Sequence, residues 1–483
     1  MSTDIQANKT MPAFNNDQFT NLLNKFNESG PYYTSYPSIS GWVEAFDHHD
    51  YEKALKDFFA GEGKDTPIHL YVHIPFCAKL CWYCICNISI SNDRARIQEF
   101  VNYLLREIDM LRNFFEKNSI KPNIREIHLG GGTPSHLYTD QFAQLTERLS
   151  TLVDLNSLDE FAMEIDPRTT NKENLKFYAD HGVKRISFGV QDFDANVQLA
   201  INRVQPVEMI EALLPPNIRS IFDGLNFDLL FGLPLQTRKT FRNTLETVKR
   251  LSPDRVTLLK YAHVPDVRKH MKAIHDADLP PPDDLPLMFT EAVQTFLEHG
   301  YEWVGFDHFA KPTDDLGMAV KNRTVGRNFN GFTTGTTSHL IGIGPTSTGA
   351  FGNYYSQNFF EFHDYFKAID EGRFPTFRGY RMKKDDVIRR DIMFRLLCDQ
   401  RVNFEDIDVK YAINYKEYFE YELAELRHQF IQNGVLDFSG TTMGITTLGR
   451  CFIRHVCRVF DTFNRAANYK IPRPVLKSNR SLM

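Results

Sequence analysis

The sequence predicts an α/β protein built on a partial (β/α)6, TIM-like barrel, with an N-terminal arm and a mostly helical C-terminal domain. From about 67 to 310, short apolar segments alternate with amphipathic ones, and polar or glycine-rich residues directly follow several apolar segments. Strands that alternate with helices form parallel sheets, which collect their functional residues at the carboxyl ends of the strands. A change of composition after residue 310 marks the C-terminal domain.

Six strands and five helices are expected in the barrel. The strands are 68–74, 126–132, 161–166, 185–190, 227–233 and 255–261, and the helices are 94–116, 139–152, 172–181, 206–214 and 238–251. Six such units make a curved sheet smaller than a closed eight-stranded barrel.

Three regions are therefore predicted: an arm over 1–55, the barrel over 56–310, and a C-terminal domain over 311–483. The polar residues 1–20 read as a disordered lead-in. The stretch 311–350 is rich in Gly, Thr and Asn, which is typical of a long loop. Beyond it, helices, a hairpin and a last helix resemble a small winged-helix-like unit. A helical lid packed on the barrel is the alternative.

Composition limits the classes of partner. The chain has 483 residues, 42% hydrophobic and 24% charged, with a net charge of −5. These values are ordinary for a globular protein and give no reason to expect a nucleic acid or an anionic membrane as partner. We find no apolar run long enough to span a membrane and no apolar signal core. We therefore expect a cytoplasmic protein. We also expect a monomer.

Four cysteines follow the first strand within ten residues. Cys77, Cys81 and Cys84 have the spacing C-x3-C-x2-C, so one loop presents three thiolates to a [4Fe–4S] cluster. The fourth iron then has no protein ligand and is open to a small chelating molecule. A zinc site would need a second cysteine pair, which does not follow, and disulfides are disfavoured in a reducing cytosol. Cys86 lies outside this spacing, and a small buried residue is one interpretation of it.

Polar residues and glycines follow the later strands. Gly130, Gly131 and Gly132 with Thr133 end strand two, where backbone N–H groups can approach a ligand closely. A simple strand-to-helix turn is the alternative. Acidic and amide residues lie on the next three strands, namely Glu164, Gln191 and Asp228. Each acid alone could be a helix cap, so their repeated placement is what favours a site.

The cysteine loop directly after a first strand resembles the signature of the radical S-adenosylmethionine (SAM) enzymes, and the whole pattern from about residue 30 onward resembles the oxygen-independent coproporphyrinogen III oxidases. The matching pieces are GP-x-YTSYP (30–37), LYVHIPFCAKLC (70–81), CICN (84–87), GGGTP (130–134), EIDPR (164–168), GVQDF (189–193), NR (202–203), FGLPLQT (231–237), YAH (261–263), DHFAKP (307–312), RNFNGFTT (327–334) and FDTF (460–463).

The resemblance implies a barrel of the radical SAM type, a [4Fe–4S] cluster and two SAM molecules. It places Tyr71, Tyr83, Gly131, Glu164 and Thr348 around the iron-bound SAM, and Gly132, Thr133, Gln191, Arg203, Asp228 and Ala262 around the second one. Arg203 has its own rationale, because a guanidinium can clamp a carboxylate. The resemblance also gives Cys86 a catalytic role.

The implied reaction is the oxidative decarboxylation of two propionates of coproporphyrinogen III to vinyl groups, which gives protoporphyrinogen IX. A low-potential electron donor such as flavodoxin or ferredoxin is implied with it. Two other functions fit parts of the pattern: a haem-binding chaperone on the same scaffold, and a two-SAM radical methyltransferase.

Three positions depart from the family pattern, all where the pocket is expected. Ile85 replaces a glycine between the last two cysteines, and Tyr32 replaces an arginine of the N-terminal arm. The run Pro345–Thr348 replaces a stretch of small and aliphatic residues.

Overall fold

The computed structural model describes residues 21–23, 25–26, 31–43, 45–335 and 338–463. The predicted disordered lead-in over 1–20 lies outside the described residues. All six predicted strands are present: β1 Pro67–Ile74, β2 Asn123–Gly131, β3 Glu160–Ile165, β4 Arg185–Gln191, β5 Gly224–Phe231 and β6 Arg255–Lys260. They pair in that order and all run parallel, which confirms the predicted fold class.

The sheet extends beyond the six barrel strands on both sides. The added strands are β7 Glu302–Val304, β8 His308–Ala310, β9 His339–Ile343, β10 Thr348–Phe351, β11 Tyr354–Asn358 and β12 Thr376–Arg381. The described residues form a twelve-stranded sheet in the order β12-β11-β10-β9-β1-β2-β3-β4-β5-β6-β8-β7. Only β9 among the added strands is parallel to its barrel neighbour, β1.

The expectation of a long loop over 311–350 is wrong. Residues 339–343 form a strand whose Leu340, Ile341 and Ile343 are buried, and it completes the sheet beside β1. Two short strands, Gly326–Asn328 and Gly331–Thr333, form a hairpin before it. These strands could not be recognised in the sequence, because glycine and threonine side chains give a weak hydrophobic pattern. The strands form because the backbone of each one pairs with a neighbouring strand. The boundary at residue 310 stays a prediction.

The two faces of β1 show how the barrel is built. Ile68, Leu70, Val72 and Ile74 are fully buried in the main apolar core, which lies between the sheet and its helices. The alternate residues 69, 71 and 73 are His, Tyr and His, and they line the interior of the barrel. Successive side chains of a strand point to opposite faces, so the same strand supplies a core and a polar interior.

Helices cover the outside of the sheet. They are His48–Ala60, Arg94–Lys117, Thr139–Leu149, Lys172–Asp180, Ala195–Ala200, Val207–Leu213, Pro216–Arg219, Arg238–Leu251, Asp284–Glu298, Asp315–Asn322 and Phe362–Asp370. The five predicted barrel helices are among them, with ends that differ by up to three residues. None of the described helices has an apolar stretch of the length that a bilayer requires.

The C-terminal region has an apolar core of its own. Its helices are Lys384–Asp399, Phe404–Tyr411, Tyr415–Tyr418, Glu420–Leu426 with a π-helical turn over Arg427–Ile431, and Ile453–Phe460. The predicted hairpin is Leu436–Ser439 and Thr442–Ile445, and the strand Arg401–Asn403 pairs with it. This core includes Tyr33 and Tyr36 of the arm together with Phe306 and Phe332, so it joins the arm to the edge of the barrel.

Candidate active site

The cysteine loop is held in place by backbone contacts on several sides. The Trp82 N–H donates to the Ile201 carbonyl at 3.0 Å, and the Asn202 side-chain amide donates to the Leu80 carbonyl at 2.7 Å. Two-residue strands, Phe76–Cys77 and Ser89–Ile90, pair at the base of the loop. A loop fixed at both ends and along its length can present its sulfurs in one arrangement.

The sulfurs of this loop have polar neighbours from other strands. Cys77 Sγ lies 3.2 Å from the Thr133 hydroxyl, at the end of β2. Cys81 Sγ accepts hydrogen bonds from Arg168 Nη2 at 3.5 Å and from Arg203 Nη1 at 3.6 Å. Both arginines also pair with Asp166, whose pKa they hold at about 2 although burial acts in the opposite direction. Two guanidinium groups therefore donate to the sulfur of one predicted cluster ligand.

Three glycines end β2 because larger residues would collide with the site. A Cβ at Gly130 would lie 2.8 Å from Glu164 Oε1, and one at Gly131 would lie 2.7 Å from the His73 ring. Gly131 also has φ of +117°, a conformation that L side chains rarely adopt. A Cβ at Gly132 would lie 2.5 Å from the Pro75 carbonyl oxygen. The three glycines therefore do more than make a turn, since they bring two strands and a carboxylate together.

Tyr71 and Glu164 meet around His128. The Tyr71 ring stacks on the His128 ring with 5.9 Å between centroids, and its hydroxyl lies 3.1 Å from His73 Nδ1. His128 Nε2 lies 3.3 Å from Glu164 Oε1, while the Gly131 N–H donates to Glu164 Oε2 at 3.2 Å. Burial lowers the pKa of His128, but the hydrogen bond and charge of Glu164 outweigh it, so the net pKa is raised. The Glu164 side chain stays 40% exposed and open to a ligand.

Gln191 and Arg203 converge on Gly189 of β4. Arg203 donates from Nε and Nη2 to the Gly189 carbonyl at 3.0 and 2.7 Å. A Cβ at Gly189 would lie 3.0 Å from Gln191 Nε2 and from Arg203 Nη2. Asp228, one strand along, accepts from Ser187 and Asn226 at 2.8 Å each. Burial, followed by the charge of Glu164, raises the pKa of Asp228.

Thr348 begins β10, which pairs with β9 beside β1. Gly342 pairs with Tyr71 across the two strands, and the Thr348 backbone lies so close to Gly342 that a Cβ there would be 2.4 Å from its carbonyl oxygen. Thr348 itself is buried. Strand β9 therefore lies between Thr348 and Tyr71, and the run that contains Thr348 departs from the family pattern.

A buried carboxylate holds the turn before Thr348. Glu107, on the helix Arg94–Lys117, accepts hydrogen bonds from the Gly344 N–H, Asn358 Nδ2 and the Tyr365 hydroxyl at 2.7, 2.7 and 2.6 Å. Burial raises the pKa of Glu107 to about 7. The departure at Pro345–Thr348 therefore forms a well-anchored turn.

The remaining predicted residues are more exposed. Cys86 is exposed, and its thiol contacts that of Cys84. Ala262 is exposed after β6, whereas Tyr83 packs half-buried against an apolar cluster that includes Tyr261. Ile85 is 52% exposed, so its side chain adds an apolar surface beside the cysteines.

The other departure, Tyr32, contacts the backbone of Lys260 and the guanidinium of Arg454. Its hydroxyl accepts from the Lys260 N–H at 3.3 Å, and the Arg454 guanidinium lies 4.6 Å from its ring centroid. The arm is therefore attached to the end of β6, next to Ala262.

Sequence reasoning missed several residues of the site, among them His128, Arg168, Glu107 and His270. His128 could have been predicted from the sequence, because the period of two in β2 places it on the same face as Gly130. His270 Nε2 contacts the Cys84 carbonyl at 2.8 Å from a segment 186 residues further along the chain. No periodicity or spacing in the sequence indicates such a contact.

The residues present fit a [4Fe–4S] cluster. The four cysteines of the loop are all free, and the charges of Cys77, Cys81 and Cys84 act on one another. Within the described ranges, no three His, Cys, Asp or Glu side chains converge as the ligands of a single ion would. A cubane does not require such convergence, because each cysteine binds a different iron.

Comparison with known proteins shows first the class of protein to which the chain belongs. A model of the radical SAM superfamily matches residues 71–248, which run from within β1 through the cysteine loop and the next four barrel strands. Membership of this superfamily brings a [4Fe–4S] cluster and SAM as cofactors. The barrel and the three-cysteine loop described above agree with that class.

More specific relatives cover nearly the whole chain. Oxygen-independent coproporphyrinogen III oxidase from Helicobacter pylori is 35% identical over 448 residues, which are 92% of this chain and 96% of the relative. The enzyme of the same name from Escherichia coli K12 is 34% identical, with 92% and 95% covered. A solved structure of the Escherichia coli enzyme, described as a radical SAM enzyme, superposes with a TM-score of 0.83 over 89% of this chain and 97% of its own. The chain belongs to the family of the oxygen-independent coproporphyrinogen III oxidases.

Proposed function

We propose that this protein converts coproporphyrinogen III to protoporphyrinogen IX by oxygen-independent oxidative decarboxylation of two propionate side chains to vinyl groups. One observation carries the proposal: the free cysteine loop, the glycine cradle and Glu164 meet at the carboxyl end of the barrel. They do so in a chain that matches coproporphyrinogen III oxidases over nearly their full length.

Cys77, Cys81 and Cys84 would hold the cluster. The cluster and SAM together supply the radical that removes a hydrogen atom from the β-carbon of a propionate. Arg168 and Arg203 donate to the Cys81 sulfur and stabilise its negative charge. Cys86, outside the triad, would take part in the substrate chemistry.

Two SAM molecules would bind in neighbouring places. The first set of contacts is Tyr71, Tyr83, Gly131, Glu164 and Thr348, and the second is Gly132, Thr133, Gln191, Arg203, Asp228 and Ala262. The exposed Glu164 carboxylate can hold an ammonium or ribose hydroxyls, and the half-buried Asp228 lies close enough for the charge of Glu164 to raise its pKa. This proximity supports adjacent binding places.

A product assay tests the function. Protein reconstituted anaerobically with iron and sulfide is incubated with coproporphyrinogen III, SAM and a low-potential reductant, and the porphyrins are separated after oxidation. We expect protoporphyrin. Cleavage of SAM with unchanged porphyrinogen and tight haem binding would indicate the chaperone, and a methylated product would indicate the methyltransferase.

We further propose that the protein is a cytoplasmic monomer that receives electrons from a donor such as flavodoxin or ferredoxin. Seven free cysteines support a reducing compartment. Sedimentation of the reconstituted protein tests the monomer, and turnover with reduced flavodoxin in place of a chemical reductant tests the donor.

A further inference from the structure

Arg268 lies in the segment that joins β6 to the helix Asp284–Glu298. This segment lies against the cysteine loop in two places. His270 Nε2 contacts the Cys84 carbonyl at 2.8 Å, and the buried Met271 belongs to an apolar cluster against which Trp82 and Tyr83 pack. Arg268 is therefore next to the loop that presents the thiolates, on the side that also carries Ala262.

Arg268 differs from the other arginines around the cysteine loop. Arg168 and Arg203 both pair with Asp166 and donate to the Cys81 sulfur. The half-buried Arg268 side chain, by contrast, makes no ion pair or hydrogen bond with any residue that the structure describes, and its Nε is enclosed by protein. Nε is too enclosed for an outside group to reach, but the two terminal nitrogens are not among the enclosed polar atoms, so they are the part of the guanidinium with which an anion from outside the chain can pair.

The acids of the same segment do not supply that anion. Asp276 is engaged with His263, at 3.0 Å from Nε2, and the other acids of the segment, Asp266, Asp278 and Asp283, form no ion pair with Arg268 in the described part of the chain. The charge of Arg268 instead acts on the thiols of Cys84 and Cys86. Arg268 is thus close to the place where the chemistry is expected.

We propose that Arg268 binds the carboxylate of the propionate that reacts. This inference rests on the proposed function and names a residue that determines substrate specificity. A guanidinium pairs with a carboxylate through two parallel hydrogen bonds, which fixes both position and orientation. The β-carbon that loses hydrogen is two bonds from that carboxyl carbon, so such a pair would hold it beside the cysteine loop. Loss of CO2 then removes the ligand of Arg268 and weakens the binding of the product.

The test compares two porphyrins that differ in the carboxylates that react. Binding of coproporphyrin III, with four propionates, and of protoporphyrin IX, with two, is measured by fluorescence on the reconstituted protein with SAM present. In Arg268→Gln we expect roughly ten- to a hundredfold weaker binding of coproporphyrin III, as for loss of charge-assisted hydrogen bonds. Binding of protoporphyrin IX and of SAM should change less than about twofold, and Arg268→Lys should restore part of the loss.

Lys269 provides the matched control, because it is an exposed cation at the next position. Lys269→Gln should leave all three affinities unchanged. The proposal is overturned if Arg268→Gln binds coproporphyrin III as the unchanged protein does, if it weakens both porphyrins equally, or if it weakens SAM alone. Cluster absorption of each variant reports whether the loop has formed. If Arg268→Gln lacks this absorption, the binding of coproporphyrin III is compared between Arg268→Lys and Lys269→Gln. Weaker binding in Arg268→Lys supports the proposal, and equal binding overturns it.

The proposed function is judged separately, by turnover of the unchanged protein. If that protein makes protoporphyrinogen while Arg268→Gln binds both porphyrins normally, the function stands and the inference fails.

Discussion

The two ends of the barrel are both polar, but their charges are arranged differently. At the amino end, Arg185 and Arg255 pair with Asp314 at 3.0 and 2.7 Å, and Arg185 pairs with Glu160 at 2.8 Å. The Asp314 side chain is only 2% exposed. At the carboxyl end, Glu164 remains 40% exposed.

The amino end therefore contributes to stability, whereas the carboxyl end is arranged for ligand binding. The charged groups at the amino end pair with one another and so hold the strands in place, although Arg185 Nη1 and Arg255 Nη2 have no hydrogen-bond partner among the described residues. At the carboxyl end the glycines, the free thiols and Glu164 leave room and polar atoms for one. Both ends occur on the same strands, and β3 carries Glu160 at one end and Glu164 at the other.

The largest expected effect is at the carboxyl end. Cys77→Ala should abolish the visible absorption of the cluster, because two thiolates do not hold a cubane that needs three. Cys86→Ser should keep that absorption and lose turnover. Iron content and absorption after anaerobic reconstitution measure both. Loss of the cluster in Cys86→Ser would instead make Cys86 a ligand.

The next effect is at the amino end. Asp314→Ala removes the more buried of the two carboxylates that Arg185 and Arg255 share, the other being Glu160, and we expect a loss of about 3 kcal/mol in the free energy of unfolding. Urea denaturation measures it. Asp140→Ala is the control, because Asp140 forms an exposed pair with Arg94 and should cost less than about 1 kcal/mol. Equal losses in the two variants would contradict the distinction between the ends.

A pH effect is expected at Glu107, which lies beneath the carboxyl end. Its pKa of about 7 in the folded protein is above the usual value of 4.5, so the folded state binds the additional proton. Its contribution to stability is therefore full below pH 4.5 and is lost as pH rises to 7, by roughly 3 kcal/mol. Glu107→Gln should remove this dependence.

Unfolding free energies at pH 5.5 and pH 8 give the measurement for Glu107. The quantity compared is the change between the two pH values in the variant and in the unchanged protein, so titration of other groups cancels. An identical change in both would show that the Glu107 carboxyl does not titrate in this range.

The smallest effect sharpens the comparison within one strand. Glu164→Gln should weaken SAM binding about tenfold and change the free energy of unfolding by less than about 0.5 kcal/mol. Glu160→Gln should lower the free energy of unfolding and leave SAM binding unchanged, because Glu160 pairs with Arg185 and Arg255 and contacts no ligand position. Equilibrium dialysis of SAM and urea denaturation separate them. A loss of SAM binding in both the Glu164→Gln and the Glu160→Gln variant would indicate that either substitution displaces β3 as a whole.

Much of the fold could be predicted from the sequence. All six barrel strands and the parallel order follow from apolar segments that alternate with amphipathic ones, since that pattern has a single common packing solution. The strands β9 and β10 could not be predicted in this way. Their residues include Gly342, Thr348 and Gly349, and they become strands because β1 and β11 offer partners for their backbone.

The candidate site divides in the same manner. Spacing alone predicted Cys77, Cys81 and Cys84, because three ligands of one cluster must lie on one short loop. The neighbours of the site were not predictable from local pattern. Glu107 reaches Gly344 across 237 residues, and His270 reaches Cys84 across 186.

The sequence by itself determined the class of fold, the cysteine triad and the glycine cradle, since these depend on local spacing and on backbone freedom. Only the tertiary structure decided which charges are satisfied. Asp314 completes an ion network at the amino end, whereas Arg268 at the carboxyl end has no acceptor among the described residues. Whether a charged residue is structural or functional depends on its neighbours in space, and those are distant in the chain.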